Sequence, residues 1–208
     1  MMDTPQMPKF SEHVLLIDAN FADSVAYDFK VNLALKVKRE LPDVDLPEFL
    51  MCCALDGGLQ PGDNEVMALL VCHKGETKMG HILPQNIKEE IDGMAFNEPQ
   101  YGEFMCSVLE EPEDELLGGE SLLSQVAKLV LASQDVKSLT IVCDWQEEAE
   151  ELISVVADAS KEQKEGGRHP MTVTLVCDHP DEEHDQYNVL HIGYAIMHCL
   201  AVQIDELQ

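Results

Sequence analysis

Two patterns of apolar residues alternate along the chain: short uninterrupted runs, and longer segments in which apolar residues recur every three or four positions. Runs of roughly four to eight apolar residues bounded by polar turns are typical of strands buried on both faces. Five such runs predict strands, namely His13–Asp18, Glu65–Cys72, Gly102–Leu109, Leu139–Cys143 and Met171–Cys177. Because helical segments separate these runs, the sequence predicts a three-layer α/β/α fold with a mainly parallel sheet of about five strands.

The segment after the first predicted strand fits two kinds of structure. Apolar residues recur here at four-residue spacing, at Val25, Phe29, Leu33 and Val37. This spacing predicts a helix with one buried stripe. Residues 31–37 also alternate between apolar and polar, as they would in a strand. The helix is favoured because its apolar stripe continues back to Val25, beyond the alternating residues.

Further helices are predicted from capping residues and periodicity. A second helix begins near Asp45 and ends at Asp56, where two glycines can terminate it. A short helix is predicted over residues 84–91, and an amphipathic helix begins at Ser121. Acidic residues after the fourth strand open another helix, and a largely apolar helix over residues 187–202 is predicted last.

Length and composition fit one domain. A chain of 208 residues with 45% hydrophobic content can bury one substantial core. Residues 1–10 contain two prolines and little periodicity, which predicts a flexible N-terminal arm. We therefore expect a single domain over residues 11–208.

The cysteines and the hydropathy pattern bear on location. The seven cysteines are an odd number, and most lie inside apolar runs, which indicates buried thiols in a reducing compartment. No apolar run reaches the length of a membrane span, and the N-terminus lacks a signal-peptide pattern. The sequence therefore predicts a cytoplasmic protein without a membrane partner.

Charge limits the classes of partner. The chain has 40 acidic and 13 basic residues, which gives a formal net charge of −27. Proteins that bind nucleic acid normally carry a basic surface that neutralises phosphates. The basic cluster here contains only Lys36, Lys38 and Arg39. The sequence therefore argues against nucleic-acid binding and favours an acidic surface that maintains solubility.

Ionisable or amide side chains follow four of the predicted strands. They are Asp18 and Asn20 after the first strand, His73 after the second, Asp144 after the fourth and Asp178 after the fifth. Parallel α/β sheets bind ligands at the carboxyl ends of their strands, so these residues are candidates for lining one crevice.

Asp56 is a further candidate for this crevice. It lies in a stretch rich in glycine, proline and acidic residues, and loops of this kind often carry functional residues. The turn that ends a helix explains its glycines equally well. Both interpretations of Asp56 stay open from the sequence alone.

Part of the chain resembles the NYN branch of the PIN-like fold, which is a Rossmann-type α/β fold. The likeness rests on Leu15-Leu-Ile-Asp-Ala-Asn20 at the first strand and on Asp144 after a late strand. Members of that branch are metal-dependent ribonucleases. The resemblance implies that Asp18 is the principal ligand of Mg²⁺ or Mn²⁺, that Asn20 is its neighbour, and that Asp144 is the second carboxylate.

The chain departs from the pattern of active NYN members at three points. Those members have a glycine before the late aspartate and a second aspartate two residues after it, where this chain has Cys143 and Gln146. Their acidic residue in the preceding helix has only Glu115 and Glu120 as counterparts here. These departures argue against an active nuclease.

A second resemblance covers most of the chain. The stretch Ala54–Glu65, together with Val14–Phe21, resembles a bacterial family of proteins of unknown function. This resemblance gives no information about an activity.

The sequence therefore favours a non-catalytic binding or interaction module. The alternative is a metal-dependent ribonuclease or phosphodiesterase that uses Asp18 and Asp144. The module needs an exposed apolar patch, and the final helix is predicted to supply one that joins two subunits. The residues of that patch are Leu190, Tyr194, Met197, Leu200 and Ala201.

Overall fold

The computed structural model of the protein describes residues 9–112, 120–165, 171–179 and 186–207. Its strands are β1 (His13–Asp18), β2 (Val44–Asp45), β3 (Glu65–Cys72), β4 (Ile82–Leu83), β5 (Ala95–Glu98), β6 (Gly102–Glu110), β7 (Ser138–Val142), β8 (Thr172–Cys177) and β9 (Asn188–His191). Its helices are α1 (Ala19–Val37), α2 (Leu46–Asp56), α3 (Ile87–Glu90), α4 (Leu122–Ala132), α5 (Trp145–Glu165) and α6 (Gly193–Cys199), and a 3₁₀ helix covers Ile204–Leu207. None of the described helices combines the length and apolar character that a bilayer-spanning helix needs.

The main sheet contains seven of the described strands, in the order β5-β6-β3-β1-β7-β8-β9. Neighbouring strands are parallel except β5 and β6, which are antiparallel. β2 and β4 form a separate parallel pair. The predicted α/β fold with a mainly parallel sheet is confirmed. The edge strands β5 and β9 are additional to the predicted strands.

The predicted helix over residues 187–202 is wrong in its first part. Asn188–His191 pairs in parallel with β8 as β9, so α6 covers only Gly193–Cys199. The apolar residues of this segment fit both an extended and a helical pattern, and the free edge of β8 decides between them. Gly193 allows the start of α6 to lie close to its neighbours, because a Cβ there would lie 2.7 Å from carbon atoms of the Phe29 ring and 2.8 Å from His191 Nδ1.

Side chains of β1 alternate between two apolar clusters on opposite faces of the sheet. Leu15 and Ile17 belong to the cluster that includes α1, α2 and α6. Val14 and Leu16 belong to the cluster that includes α4 and α5. Phe10 is also buried in the second cluster, whereas residues 1–8 of the predicted arm lie outside the described residues. β1 is thus buried on both faces, as its apolar run predicts.

The helical interpretation of the segment after β1 is confirmed. Val25 and Leu33 are buried, and Phe29 and Val37 pack partly buried against the same cluster. The predicted stripe therefore faces the core of the protein.

The predicted second helix is confirmed as α2. The Asp45 carboxylate caps it by accepting a hydrogen bond from the backbone N–H of Glu48 at 3.2 Å. After its last residue, a Cβ on Gly57 would lie 2.0 Å from Thr140 Oγ1. The glycine therefore allows the end of α2 to lie directly on β7.

Candidate functional site at the carboxyl ends of the sheet

The strand order places a topological switch point between β1 and β7. The chain leaves β1 through α1 toward β3, and it leaves β7 through α5 toward β8 on the opposite side. Helices α1 and α5 contribute to different apolar clusters. Open α/β sheets bind ligands in the crevice at such a point. Asp18 and Asp144 lie at the two strand ends that border it.

Asp18 is the last residue of β1 and the N-cap of α1. Its Oδ1 accepts a hydrogen bond from the backbone N–H of Phe21 at 2.9 Å. Burial raises the pKa of this carboxyl group, although the Phe21 N–H and the nearby His73 act in the opposite direction. Asp18 therefore stabilises the start of α1 at the cost of a partly desolvated charge.

Asn20 joins the end of β3 to the turn that follows it. Its Oδ1 accepts a hydrogen bond from the backbone N–H of His73 at 2.8 Å. Its Nδ2 donates to the carbonyl of Glu76 at 3.0 Å. The amide side chain thus satisfies two backbone groups that the turn leaves free.

His73 links this region to the end of β6. Its Nδ1 lies 3.0 Å from Glu111 Oε2. The hydrogen bond to Glu111 raises the pKa of His73, and the charge of Asp18 adds to the effect. We call Asp18, Asn20, His73 and Glu111 the strand-end cluster. Sequence reasoning missed Glu111, although an acidic residue directly after a strand was an available signal.

Asp144 acts on the other side of the switch point. Its Oδ1 accepts a hydrogen bond from the backbone N–H of Gln146 at 2.8 Å, which caps the start of α5. Burial raises the pKa of the adjacent Cys143 thiol well above its usual range, and the charges of Asp18 and Asp144 contribute to that shift. Asp18 and Asp144 thus each cap their own helix.

Asp178 lies farther along the sheet. It follows β8, two strands from β1, which corresponds to roughly 10 Å across the sheet. Its Oδ2 lies 3.6 Å from His179 Nε2. Its Oδ1 is buried and has no hydrogen-bond partner among the described residues. The structure does not bring Asp178 into the strand-end cluster.

Asp56 lies at the opposite end of α2 from this edge of the sheet. Leu46 in the first turn of α2 lines a small apolar cavity with Ile17 and Leu70, close to the strand ends. An 11-residue helix extends roughly 16 Å, and Asp56 is its last residue. Burial raises the pKa of Asp56. Asp56 therefore lies apart from the other candidate residues.

The Mg²⁺ or Mn²⁺ site that the NYN resemblance implies would draw on the side chains at the strand ends. Such cations bind clustered oxygen ligands. In the part of the chain that the structure describes, no three His, Cys, Asp or Glu side chains are arranged to hold a metal ion. Glu120 forms an ion pair with Lys128, and Glu115 lies outside the described residues.

Helix α1 also carries apolar residues on its solvent side. Tyr27, Val31 and Leu35 are 48%, 42% and 74% exposed and follow one another at four-residue spacing. We call them the α1 stripe. The Tyr27 ring packs on His81, with 4.5 Å between ring centroids. Asp23 in α1 holds the segment around His81 in place by accepting hydrogen bonds from the backbone N–H groups of residues 80–82.

The patch predicted on the final helix is mostly covered. Leu200 is fully buried, and Leu190 and Met197 are half-buried. Tyr194, which is 66% exposed, and Ala201 face solvent. The larger exposed apolar surface thus lies on α1.

A protein-family model matches almost the whole chain. Residues 7–207 match the Family of unknown function (DUF6621). No curated protein and no solved structure matches the chain. Because the match covers nearly the whole sequence, the chain belongs to the Family of unknown function (DUF6621).

Proposed function

We propose that this protein is a non-catalytic, PIN/NYN-like α/β interaction protein of the bacterial cytoplasm, which binds a partner protein through the α1 stripe. The NYN-like sequence at β1 supports the PIN-like, three-layer part of the proposal. The strand-end cluster then serves to hold the fold, and the contact surface lies on the solvent side of the helix that follows β1.

The observation that supports the proposal is that the polar side chains at the switch point form hydrogen bonds with the protein backbone. Asp18 and Asp144 each cap a helix, at 2.9 and 2.8 Å. Asn20 is engaged at both ends of its amide by backbone groups. We infer from these hydrogen bonds that the side chains serve the fold, since a catalytic role would require their remaining atoms to meet a substrate. Here the same side chains complete the backbone hydrogen bonding of two helices and one turn.

The α1 stripe is suited to a partner because it opposes the buried face of the same helix. Val25 and Leu33 point into the core, and Val31 and Leu35 lie about half a helical turn away. A surface helix normally presents polar residues on that side. Grouped apolar residues at the solvent-facing side mark interaction surfaces more often than isolated ones do.

Charge identifies the chemistry of the partner. With a net charge of −27, the protein repels other polyanions, including nucleic acid and a second copy of itself. A protein surface with an apolar centre and a basic rim avoids this repulsion and gains from electrostatic steering. The proposed partner is therefore a protein that presents a basic, amphipathic helix.

A synthetic helical peptide tests this proposal directly. The probe has leucines on one face and lysines on the other, and fluorescence anisotropy follows its binding at physiological salt. We expect Val31→Ser combined with Leu35→Ser to weaken binding about tenfold, which corresponds to about 1.4 kcal/mol. Leu129→Ser, at a position on α4 that is as exposed as Val31, is the matched control and should bind like wild type.

Two outcomes would overturn this assignment. Equal binding of a peptide with the same composition but a scrambled apolar face would show that charge alone attracts the probe. Concentration-dependent dimers that the double serine variant abolishes would instead make a second copy the occupant.

The dimer predicted through the final helix would be recognised by its loss in Tyr194→Ser, with the α1 variants unaffected.

Calorimetry with Mn²⁺ and Mg²⁺ tests the catalytic alternative separately. We expect no saturable binding by wild type and no difference in Asp18→Asn or Asp144→Asn. A saturable site lost in both variants would refute the non-catalytic proposal and support a metal-dependent phosphodiesterase.

A further inference from the structure

Helices α4 and α5 pack against each other on the face of the sheet opposite α1, and a cavity of about 620 Å³ lies between them. Leu131 of α4 and Val155 of α5 are buried and give the cavity an apolar part of its lining. Its volume falls in the range of roughly 300–1,000 Å³ that is typical of sites for small molecules. We call this cavity the α4–α5 groove. None of the described residues that line it belongs to the strand-end cluster or to the α1 stripe.

The charged part of the lining is mainly acidic. Among the described residues of the groove, the carboxylates are Glu120, Glu151 and Asp158, and the basic side chain is Lys128. Lys128 forms an ion pair with Glu120, so its charge is already compensated. Asp158 pairs with Lys161 at 3.4 Å, but both side chains are largely exposed, and exposed pairs of this kind are weak. The groove therefore favours an occupant with positive charge.

Glu151 gives the most direct indication of a ligand. Its Oε1 is buried and has no hydrogen-bond partner among the described residues. Buried carboxylate oxygens normally accept a hydrogen bond, because a buried oxygen without a donor loses its interactions with water and gains nothing in return. An ammonium group in the groove would supply a charge-assisted donor to this carboxylate.

The spacing along α5 defines the shape of the cation. Glu151 and Asp158 are seven residues apart, so they lie on one side of the helix, separated by two turns or roughly 10 Å along its axis. Val155 lies between them and is buried, and Ser154 is exposed and offers a hydroxyl oxygen as an acceptor. Ammonium groups joined by a linear aliphatic chain match this order of acidic, apolar and acidic positions.

We propose that the α4–α5 groove binds a linear aliphatic polyamine of the spermidine class, with its terminal ammonium groups on Glu151 and Asp158. Nine bonds separate the terminal nitrogens of spermidine, which gives an extended span of about 11 Å. Its methylene groups pack over Val155, and its central amine donates to Ser154. This inference is independent of the partner proposed for the α1 stripe, which lies on the other face of the sheet.

Calorimetry of the full-length protein with spermidine at physiological salt tests the proposal. We expect one saturable site, and Glu151→Gln and Asp158→Asn should each weaken binding about tenfold, because each removes a charged partner. Glu103→Gln, at an exposed position in β6, makes the same change of charge and should bind like wild type. If circular dichroism shows that Glu151→Gln does not fold, the exposed Asp158→Asn decides the question.

Two diamines of equal charge separate the fit of the ligand from its charge. 1,8-Diaminooctane keeps the nine-bond span of spermidine, whereas 1,4-diaminobutane spans five bonds and is too short to reach both carboxylates. We expect the longer diamine to bind about tenfold more tightly, because both of its ammonium groups are then paired. Equal binding of the two diamines, an equal loss in Glu103→Gln, or no saturable binding of spermidine would overturn the proposal.

Discussion

On the β3 side of β1, the polar residues after the strands are joined to one another, whereas on the β7 side each serves its own segment. Asn20 and His73 connect the ends of β1 and β3, and Glu111 extends the connection to β6. Asp144 caps α5 by a single hydrogen bond. Similar apolar runs ending in a polar residue therefore lead to a network on one side and to separate caps on the other.

Under the proposed non-catalytic function, this difference explains why the two sides of β1 do not combine into one ligand site. A site at the switch point would draw on both sides, with Asp18 and Asp144 turned toward each other. Instead, Asp18 interacts electrostatically with His73 and Glu111. Asp18 therefore caps α1 within the electrostatic field of the β3 side, whereas Asp144 caps α5.

Replacing Asn20 is expected to have the largest effect. Asn20→Ala removes the partners of two backbone groups and should lower the free energy of unfolding by about 2 kcal/mol. Urea denaturation followed by far-UV circular dichroism measures the change. Asn97→Ala, in the edge strand β5, is the matched control and should stay within about 0.5 kcal/mol of wild type. A loss of the same size in both would contradict a special role for the cluster.

Two variants of Asp18 distinguish the stability that comes from the helix cap from the stability that depends on the carboxylate charge. Asp18→Ala should cost about 1.5 kcal/mol at pH 7, because the N-cap of α1 is lost. Asp18→Asn keeps a good cap and removes a carboxylate whose pKa is raised by burial. A raised carboxyl pKa in the folded state lowers stability as the pH rises through the acidic range. Asp18→Asn should therefore equal or exceed wild type at pH 7, and this difference should shrink toward pH 4.

Asp144→Ala tests the other side of β1. The loss of one helix cap should cost about 1 kcal/mol or less. The same urea titration measures it, with Gln146→Ala as a nearby control that keeps the backbone N–H donor. If Asp144→Ala matched Asn20→Ala in cost, the proposed difference between the two sides of β1 would be wrong.

The pH dependence of the His73–Glu111 pair is the smallest effect. The raised pKa of His73 means that the pair stabilises the fold below the unfolded value near 6.5. This contribution is lost as the pH rises through the higher folded value. Because both side chains are substantially exposed, His73→Gln should change stability at pH 6 by about 0.5 kcal/mol or less. Thermal unfolding at pH 6 and 8 should show the difference only at pH 6.

Sequence reasoning succeeded where burial is uniform along an element. The run at β1 is apolar on both faces, so its burial and its central place follow from its residues alone. The edge strands β5 and β9 were not predicted, because they are short and half-exposed. The conformation of β9 also depends on its pairing with β8. Asp18 and Asp144 were correctly placed at strand ends. Their hydrogen-bond partners could not be predicted, because residues distant in sequence, such as Glu111, complete the cluster.

The close packing around Gly193 predicts which residues other members of the family carry at this position. The Phe29 ring occupies the space that a side chain at residue 193 would need, since a Cβ there would lie 2.7 Å from the ring. The two positions are therefore expected to evolve as a pair across DUF6621. His191 Nδ1 would lie 2.8 Å from the same Cβ, so a relative with alanine at 193 should carry smaller residues than phenylalanine at 29 and histidine at 191. A relative that keeps both rings should keep the glycine.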